Sequence, residues 1–225
     1  MSIVSFYIKA FMGGLLIALF IPYFYITGNK HKASRSLLSS LILKVFGVKP
    51  DIIGAADPKT GIFLINHQSV LDIVVMEAIT KESNLCWIAK RELFNIPLFG
   101  HLFKSCKMIA VDRENKQGLI KLIKDSKEAS EQGRPLVIFP EGTRSKGKEM
   151  LEFKAGAKLI AEKLSLQVQP IVIVDSASLL DTKHSKGARG GTLKVIYMDP
   201  ISTEDKEWFG KTRDSMQQTL DNARA

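Results

Sequence analysis

From Gly61 onward the chain alternates short apolar runs with longer amphipathic segments, and this alternation restricts the available folds most strongly. Short apolar runs between turn residues are typical of buried strands, whereas apolar residues at helical spacing indicate helices. The predicted strands are residues 62–66, 85–89, 108–111, 135–139, 171–174 and 193–198. The predicted helices are residues 70–79, 92–103, 116–132, 154–164 and 206–223. We therefore expect an α/β fold with a mixed, mostly parallel sheet flanked by helices.

The N-terminal segment differs from the rest because residues 10–27 carry no charge, and Lys9 is the only charged side chain before them. A helix needs about 20 apolar residues to cross a bilayer, so this segment is at the lower limit of length. Pro22 is expected to kink such a helix. Aromatic residues at 23–25 end the segment, and their rings favour the membrane interface. The segment either spans the bilayer or lies in one leaflet.

Basic residues follow this apolar segment, at Lys30, Lys32 and Arg35. Lys and Arg next to a membrane segment stay in the cytoplasm, which predicts a location at the inner (cytoplasmic) membrane with the following domain facing the cytoplasm. A cleaved signal peptide carries its positive charge before the apolar segment, whereas here the basic cluster follows it. We therefore do not expect a cleaved signal peptide. Residues 37–48 then repeat apolar residues at helical spacing, so residues 1–48 are predicted to form a membrane-associated helical hairpin. The alternative is that both helices simply pack on a soluble core.

The formal net charge is +9, which suits nucleic acid, an anionic membrane or an acidic partner. The basic residues are spread along the chain, and nothing resembles a known nucleic-acid-binding motif, so no nucleic-acid partner is expected. Cys86 and Cys106 lie in apolar stretches and are expected to be reduced, buried side chains. Neither a disulfide nor a metal site is predicted.

Polar clusters directly follow four of the apolar runs, and open α/β sheets bind ligands beyond the carboxyl ends of their strands. The clusters are Asn66-His67, Lys90-Arg91, Asp112-Arg113 and the run from Glu141 to Arg144. Their shared position predicts that they line one pocket.

His67 and Asp72 are the candidate catalytic pair. On a regular helix, residues five apart differ by about 140° beyond one full turn, so the two side chains would not face each other. They can meet only if His67 lies in the strand-to-helix turn and Asp72 in the first helical turn, which a strand ending at Asn66 predicts. A carboxylate then fixes the imidazole tautomer, as a general base requires. The alternative is a structural histidine.

The candidate nucleophile is less evident, because Ser69 lacks the Gly-x-Ser-x-Gly elbow and neither cysteine has an obvious base. A base without a protein nucleophile indicates that the activated group is a substrate hydroxyl or water.

The run Phe139–Ser145 carries a second type of chemistry, anion binding. Gly142 allows a tight turn and close ligand approach, and the hydroxyl of Thr143 and the guanidinium of Arg144 suit a phosphate. Arg113 is a second phosphate candidate, and Lys154 is expected near a helix N-terminus, where anions are favoured. The alternatives are a surface turn with solvated side chains, and a salt bridge of Arg113 with a neighbouring acid.

Together these residues resemble the 1-acyl-sn-glycerol-3-phosphate acyltransferase (lysophosphatidic acid acyltransferase) family. Residues 66–72 resemble its His-x4-Asp block, residues 90–93, 96–100 and 109–113 resemble the second block, and Phe-Pro-Glu-Gly-Thr-Arg-Ser at 139–145 matches the third at every position. Residues 153–157 are similar to the segment that follows. The fourth block, Val-Pro-x-x-Pro, shapes the acyl-chain side of the site, and only its second proline is kept, as Pro170.

The resemblance implies an acyltransferase domain over residues 49–225 in which His67, oriented by Asp72, deprotonates the sn-2 hydroxyl of 1-acylglycerol-3-phosphate. The alkoxide would attack the thioester of acyl-CoA or acyl carrier protein and give phosphatidic acid. Backbone N–H groups near His67 would stabilise the oxyanion. No cofactor, metal or acyl-enzyme is implied. The implied substrate-binding residues are Asn66, Lys90, Arg113, Glu141, Gly142, Thr143, Arg144 and Lys154.

Three alternatives to this function stay open. The acceptor could be glycerol-3-phosphate or another lyso-lipid. The protein could be a membrane lipid hydrolase in which His67 activates water. It could also be a membrane-anchored binding module without chemistry.

Overall fold

The computed structural model describes residues 3–27, 32–111, 116–145, 149–180 and 190–225, and within them a single seven-stranded sheet with the order β1-β7-β6-β2-β5-β3-β4. The strands are β1 Val48–Ile53, β2 Ile62–Ile65, β3 Cys86–Lys90, β4 Ile109–Val111, β5 Leu136–Ile138, β6 Val168–Ile173 and β7 Gly191–Tyr197. Neighbouring strands are parallel except β6 and β7, which are antiparallel. The predicted mixed, mostly parallel sheet is confirmed.

Helices cover both faces of this sheet. They are α1 Ile3–Thr27, α2 Lys32–Phe46, α3 Leu71–Ile79, α4 Phe99–Ser105, α5 Lys116–Glu131, α6 Ala155–Lys163, α7 Ser176–Leu179 and α8 Trp208–Asn222, with a 3-10 helix at Arg91–Asn95. Strand β2 is buried along its whole length, with Phe63 and Ile65 in one core and Ile62 and Leu64 in the other. Burial on both faces explains why this strand is a continuous apolar run.

Two local predictions need correction. The helix predicted at 92–103 divides into the 3-10 helix and α4, because Pro97 lacks an N–H and forces the preceding Ile96 into an extended conformation (φ −72°, ψ 128°). The helix predicted to reach Val48 ends at Phe46, where Gly47 adopts φ 71° and terminates it. The chain then enters β1, an edge strand that the sequence did not indicate because all its residues after Val48 are exposed.

Helices α1 and α2 form the predicted antiparallel hairpin. Near one end, Lys9 Nζ donates to the carbonyl of Phe46 (3.4 Å), and near the other, the Ser34 hydroxyl donates to the Tyr23 hydroxyl oxygen (3.2 Å). Pro22 lies inside α1, which continues to Thr27. Because α2 also packs on α3 and α1 packs on α4, the hairpin lies against the sheet domain. The domain boundary between residues 48 and 49 stays a prediction.

Cys86 and Cys106 are both free and buried, as predicted. Burial raises the pKa of both thiols, so they stay protonated near neutral pH.

Candidate active site

His67 lies in the turn between β2 and α3, and its side chain contacts Asp72 in the first turn of α3. The distance from His67 Nδ1 to Asp72 Oδ2 is 2.9 Å. The carboxylate is fully buried, while the imidazole is 15% exposed. The predicted contact is confirmed, and it forms for the predicted reason: the strand ends before His67, so the two residues do not share one regular helix.

The Asp72 carboxylate also holds the turn itself. Its Oδ2 accepts hydrogen bonds from the backbone N–H groups of Gln68 (2.7 Å) and Ser69 (2.8 Å). An ionised carboxylate is only an acceptor, so the bond to His67 assigns the imidazole proton to Nδ1 and leaves Nε2 without a proton. Within the part of the chain that the structure describes, no hydrogen bond engages Nε2.

This arrangement corrects one expectation. The N–H groups of Gln68 and Ser69 bond to Asp72, and the N–H of His67 donates to Glu141 Oε1 at 2.7 Å. These three backbone groups are therefore occupied in this structure and do not form the expected oxyanion site.

Glu141 connects loop 139–145 to the His67 turn. Besides the bond from His67, its other oxygen accepts the N–H of Leu151 at 2.8 Å. Ser145 N in turn donates to the carbonyl of His67 at 2.8 Å. Burial raises the pKa of Glu141, opposed by the two N–H bonds, which favour the ionised form. Glu141 is buried, so its observed role is to position the His67 turn against this loop.

Phe139 adds a second constraint on the imidazole. Its ring is stacked on that of His67, with centroids 3.8 Å apart and planes inclined by 11°. The hydrogen bond to Asp72 fixes one edge of the imidazole, and the stacked phenyl ring fixes its plane. The histidine is thus held for proton transfer in one direction.

The other predicted substrate-binding residues fall into different environments. Asn66 is buried, and its side chain pairs in both directions with the backbone of Ile173 (2.9 and 2.7 Å), which joins the ends of β2 and β6. This observed role is positioning. Gly142 adopts φ 71°, a conformation that favours glycine. Four side chains are exposed: Lys90, Thr143, Arg144 and Lys154. Arg113 lies outside the described residues.

An apolar cavity of about 360 Å³ is lined by both His67 and Arg144. Its walls come from the N-terminal hairpin, from α3 and from the segment of the 3-10 helix and α4. The apolar lining includes Ile17, Phe24, Leu38, Ile42, Val70, Ile73, Val74, Leu93, Ile96, Phe99, Leu102 and Phe103. A larger groove of about 850 Å³ elsewhere in the domain is lined by none of the predicted site residues, so the smaller cavity is the functional candidate.

The sequence did not indicate that hairpin residues line this cavity. It predicted a membrane-associated hairpin, with packing of both helices on a soluble core as the alternative. Their apolar spacing is the same for a lipid-facing helix and for a cavity wall, so no local signal separates the two roles.

A mostly parallel α/β fold that places a histidine–carboxylate pair beside an apolar cavity has a geometry that suits activation of a hydroxyl next to an apolar chain. Residues 54–174 match the acyltransferase family model. The chain belongs to this acyltransferase family, and the resemblance seen in the sequence is confirmed.

Individual relatives agree with this assignment. The chain is 39% identical over 207 residues to the 1-acyl-sn-glycerol-3-phosphate acyltransferase of Helicobacter pylori (strain J99), covering 91% of this chain and 86% of the relative. It is 28% identical over 205 residues to the enzyme of that name from Cocos nucifera, covering 90% of this chain and 66% of the relative.

The fold is shared with a solved structure. The crystal structure of the 1-acyl-sn-glycerophosphate (LPA) acyltransferase PlsC from Thermotoga maritima matches with a TM-score of 0.79. The match covers 99% of this chain and 95% of that chain at 18% identity. At this identity the likeness concerns the fold alone.

Proposed function

We propose that this acyltransferase transfers an acyl chain from acyl-CoA or acyl carrier protein to the sn-2 hydroxyl of 1-acyl-sn-glycerol-3-phosphate, giving phosphatidic acid. The observation that carries the proposal is the 2.9 Å contact between His67 Nδ1 and Asp72 Oδ2, which prepares Nε2 as a base beside an apolar cavity. The names of the relatives support the choice of acceptor.

In the proposed mechanism His67 Nε2 takes the proton of the acceptor hydroxyl as its oxygen attacks the thioester carbonyl. The C–O bond forms, the C–S bond then breaks, and the leaving thiolate receives the proton from the imidazolium. Buried Asp72 stabilises that imidazolium without itself being protonated. The acyl chain passes directly between substrates, so the proposal includes neither an acyl-enzyme nor a cofactor beyond the donor.

Arg144 is proposed to bind the acceptor phosphate, because the planar guanidinium matches phosphate oxygens. It is adjacent to Ser145, whose N–H bonds to the carbonyl of His67. This connection would keep the phosphate site at a constant distance from the base. Exposed Thr143, Lys90 and Lys154 are proposed to support it, and Arg113 stays a prediction.

The apolar cavity is proposed to hold an acyl chain. Burial of each methylene contributes about 0.8 kcal/mol, so an apolar wall next to the base stabilises a bound lipid in reach of the chemistry. The hairpin supplies part of this wall through Phe24 and Leu38.

The same hairpin is proposed to anchor the enzyme to the cytoplasmic membrane, with residues 49–225 as the catalytic domain. Ser5–Ile26 is long and apolar enough to cross a membrane, yet α1 packs along α2 and thereby against the domain. Its outer face exposes large apolar side chains, including Phe11 at 73% and Leu19 at 65%. A helix packed in this way is better suited to lie in one leaflet than to span the bilayer.

The reaction is tested with membrane fractions supplied with 1-acylglycerol-3-phosphate and either acyl-CoA or acyl carrier protein. We expect phosphatidic acid from at least one donor, and little product with glycerol-3-phosphate as acceptor. Release of free fatty acid without an acceptor would instead identify a hydrolase. If the enzyme prefers glycerol-3-phosphate to 1-acylglycerol-3-phosphate, the proposed acceptor is wrong.

Replacing Arg144 with alanine is expected to raise the acceptor KM by about 10- to 100-fold, because hydrogen bonds to charged groups contribute about 1.5–3 kcal/mol. The donor KM should change little. Lys127→Ala, which removes an exposed charge from α5, is the control for overall charge. An unchanged acceptor KM in the Arg144 variant would exclude this residue from the phosphate site.

Replacing both Phe11 and Leu19 with aspartate is expected to lower the membrane-bound fraction at least about tenfold. Each change removes roughly 1.5–3 kcal/mol of apolar burial. Flotation with anionic lipid vesicles measures the effect. Ile120→Asp is the matched control, since Ile120 is 71% exposed on α5, outside the hairpin. Equal loss of binding in both proteins would contradict a membrane role specific to α1.

A further inference from the structure

One carboxylate oxygen of Glu77, in α3, accepts hydrogen bonds from two different side chains. Trp87 Nε1 donates to Glu77 Oε1 at 2.6 Å, and Arg35 Nη2 forms an ion pair with the same atom. The Arg35 and Glu77 side chains are only 5% and 11% exposed. A buried ion pair is weak evidence for stability, because desolvation offsets the attraction. What the pair connects is therefore more informative than its strength.

Arg35 belongs to the hairpin, and its remaining donors fix α2 to the start of β3. Its Nη1 bonds to Asn84 Oδ1 at 2.8 Å and to the carbonyl of Leu85 at 2.9 Å. Strand β3 begins at the next residue and carries Trp87. One guanidinium thus holds both the carboxylate that bonds to Trp87 and the strand on which Trp87 lies.

Trp87 leads from this ion pair to the base through ring contacts. Its indole lies against Phe139, with centroids 5.3 Å apart and planes inclined by 35°. Phe139 is in turn stacked on His67 at 3.8 Å. Phe139 therefore contacts both the imidazole and the indole, and links Trp87 to His67.

This contact matters because the covalent Cβ–Cγ bond and the hydrogen bond from Nδ1 to Asp72 hold one edge of the imidazole but still allow the ring to tilt. A flat ring against the imidazole face removes this freedom and directs Nε2. A cation over an aromatic face is also attracted to it, so Phe139 favours the imidazolium that forms during proton transfer. Both effects require Phe139 to keep its orientation.

We propose that Glu77 and Trp87 are positioning residues for His67, which hold Phe139 against the imidazole, and that Arg35 ties this support to the N-terminal hairpin. The proposal rests on the proposed role of His67 as the base. It assigns the hairpin a part in orienting the base in addition to membrane attachment.

The test compares Trp87→Leu, which removes the ring, with Trp87→Phe, which keeps an aromatic ring. Trp87→Leu is expected to lower kcat about 10- to 100-fold, as small misplacements of a reacting group do, with the acceptor KM within about twofold. Trp87→Phe should recover most of that loss. Glu77→Gln, which weakens the ion pair but keeps an acceptor oxygen, should lower kcat severalfold at unchanged KM.

The chain contains a matched control. Trp208 is also buried, and its Nε1 donates to a glutamate, Glu162 Oε1, at 3.0 Å, while its ring packs on Phe209 away from His67. Trp208→Leu is expected to lower thermal stability and to leave kcat per folded molecule near wild type. Folded fractions are measured by far-UV circular dichroism, which reports backbone structure, so that loss of fold and loss of turnover are separated.

The outcomes distinguish the two proposals. If His67→Ala abolishes turnover while Trp87→Leu and Glu77→Gln behave like Trp208→Leu, the positioning proposal is wrong and the proposed base stands. If His67→Ala is fully active, the base itself is wrong. If Trp87→Leu fails to fold, the Glu77→Gln variant tests the positioning proposal instead. An unchanged kcat in Glu77→Gln then overturns the proposal.

Discussion

Replacing His67 with alanine is expected to lower kcat for acyl transfer by about 10²- to 10⁴-fold, the range that general acid–base catalysis contributes. The imidazole is the group whose geometry prepares it to take the acceptor proton, since Nδ1 is held by Asp72 and its face by Phe139. Membrane fractions assayed for phosphatidic acid at saturating acceptor and donor measure the loss.

The fold of this variant should survive, which makes the result interpretable. The bonds that join the turn to loop 139–145 use the backbone N–H and carbonyl of His67, and alanine keeps both. Membrane binding should likewise be unchanged. His101→Ala is the matched control, because His101 is an exposed histidine on α4 whose ring bonds to Tyr25. Retention of more than about a tenth of the wild-type kcat in His67→Ala would remove it as the base.

The second large effect is expected at Asp72. Asparagine is close to aspartate in shape but lacks the charge that stabilises the imidazolium, and its amide can present donors where Nδ1–H requires an acceptor. We expect kcat to fall about 10²-fold or more. The acceptor KM should stay within a few fold, because Asp72 is fully buried.

Asp72→Asn should also lower stability, unlike His67→Ala. Asp72 Oδ2 accepts hydrogen bonds from the N–H groups of Gln68 and Ser69. Loss of charge-assisted bonds at a buried site lowers the free energy of unfolding by about 1–3 kcal/mol. Thermal unfolding measures this loss. Asp125→Asn is the control, since Asp125 forms a surface pair with Lys121 that contributes little. Full turnover in folded Asp72→Asn would mean that the His67 tautomer does not depend on this carboxylate.

The contact between His67 and Asp72 was predictable because it is local. Only five residues separate them, and a strand end followed by a helix start allows one close arrangement. The same reasoning predicted β2 from its continuous apolar run. It missed β1, because an exposed edge strand carries no such run.

The link between His67 and Glu141 could not be predicted in the same way. These residues are 74 positions apart, and they meet because β2 pairs directly with β5, as in Ile62 opposite Leu136. The order of strands in a sheet depends on how all helices pack on it, which no single segment specifies. For the same reason Asn66 and Glu141, predicted to bind substrate, were not recognised as positioning residues.

The amino-acid sequence by itself indicated most elements of this protein, the apolar hairpin, the contact between His67 and Asp72 and the turn at Gly142, because each depends on spacing within one short segment. Only the tertiary structure decided that the hairpin closes a cavity at His67 and that Arg35 reaches Glu77, 42 residues away. Those contacts arise from packing between distant elements, where burial of apolar surface outweighs local preference.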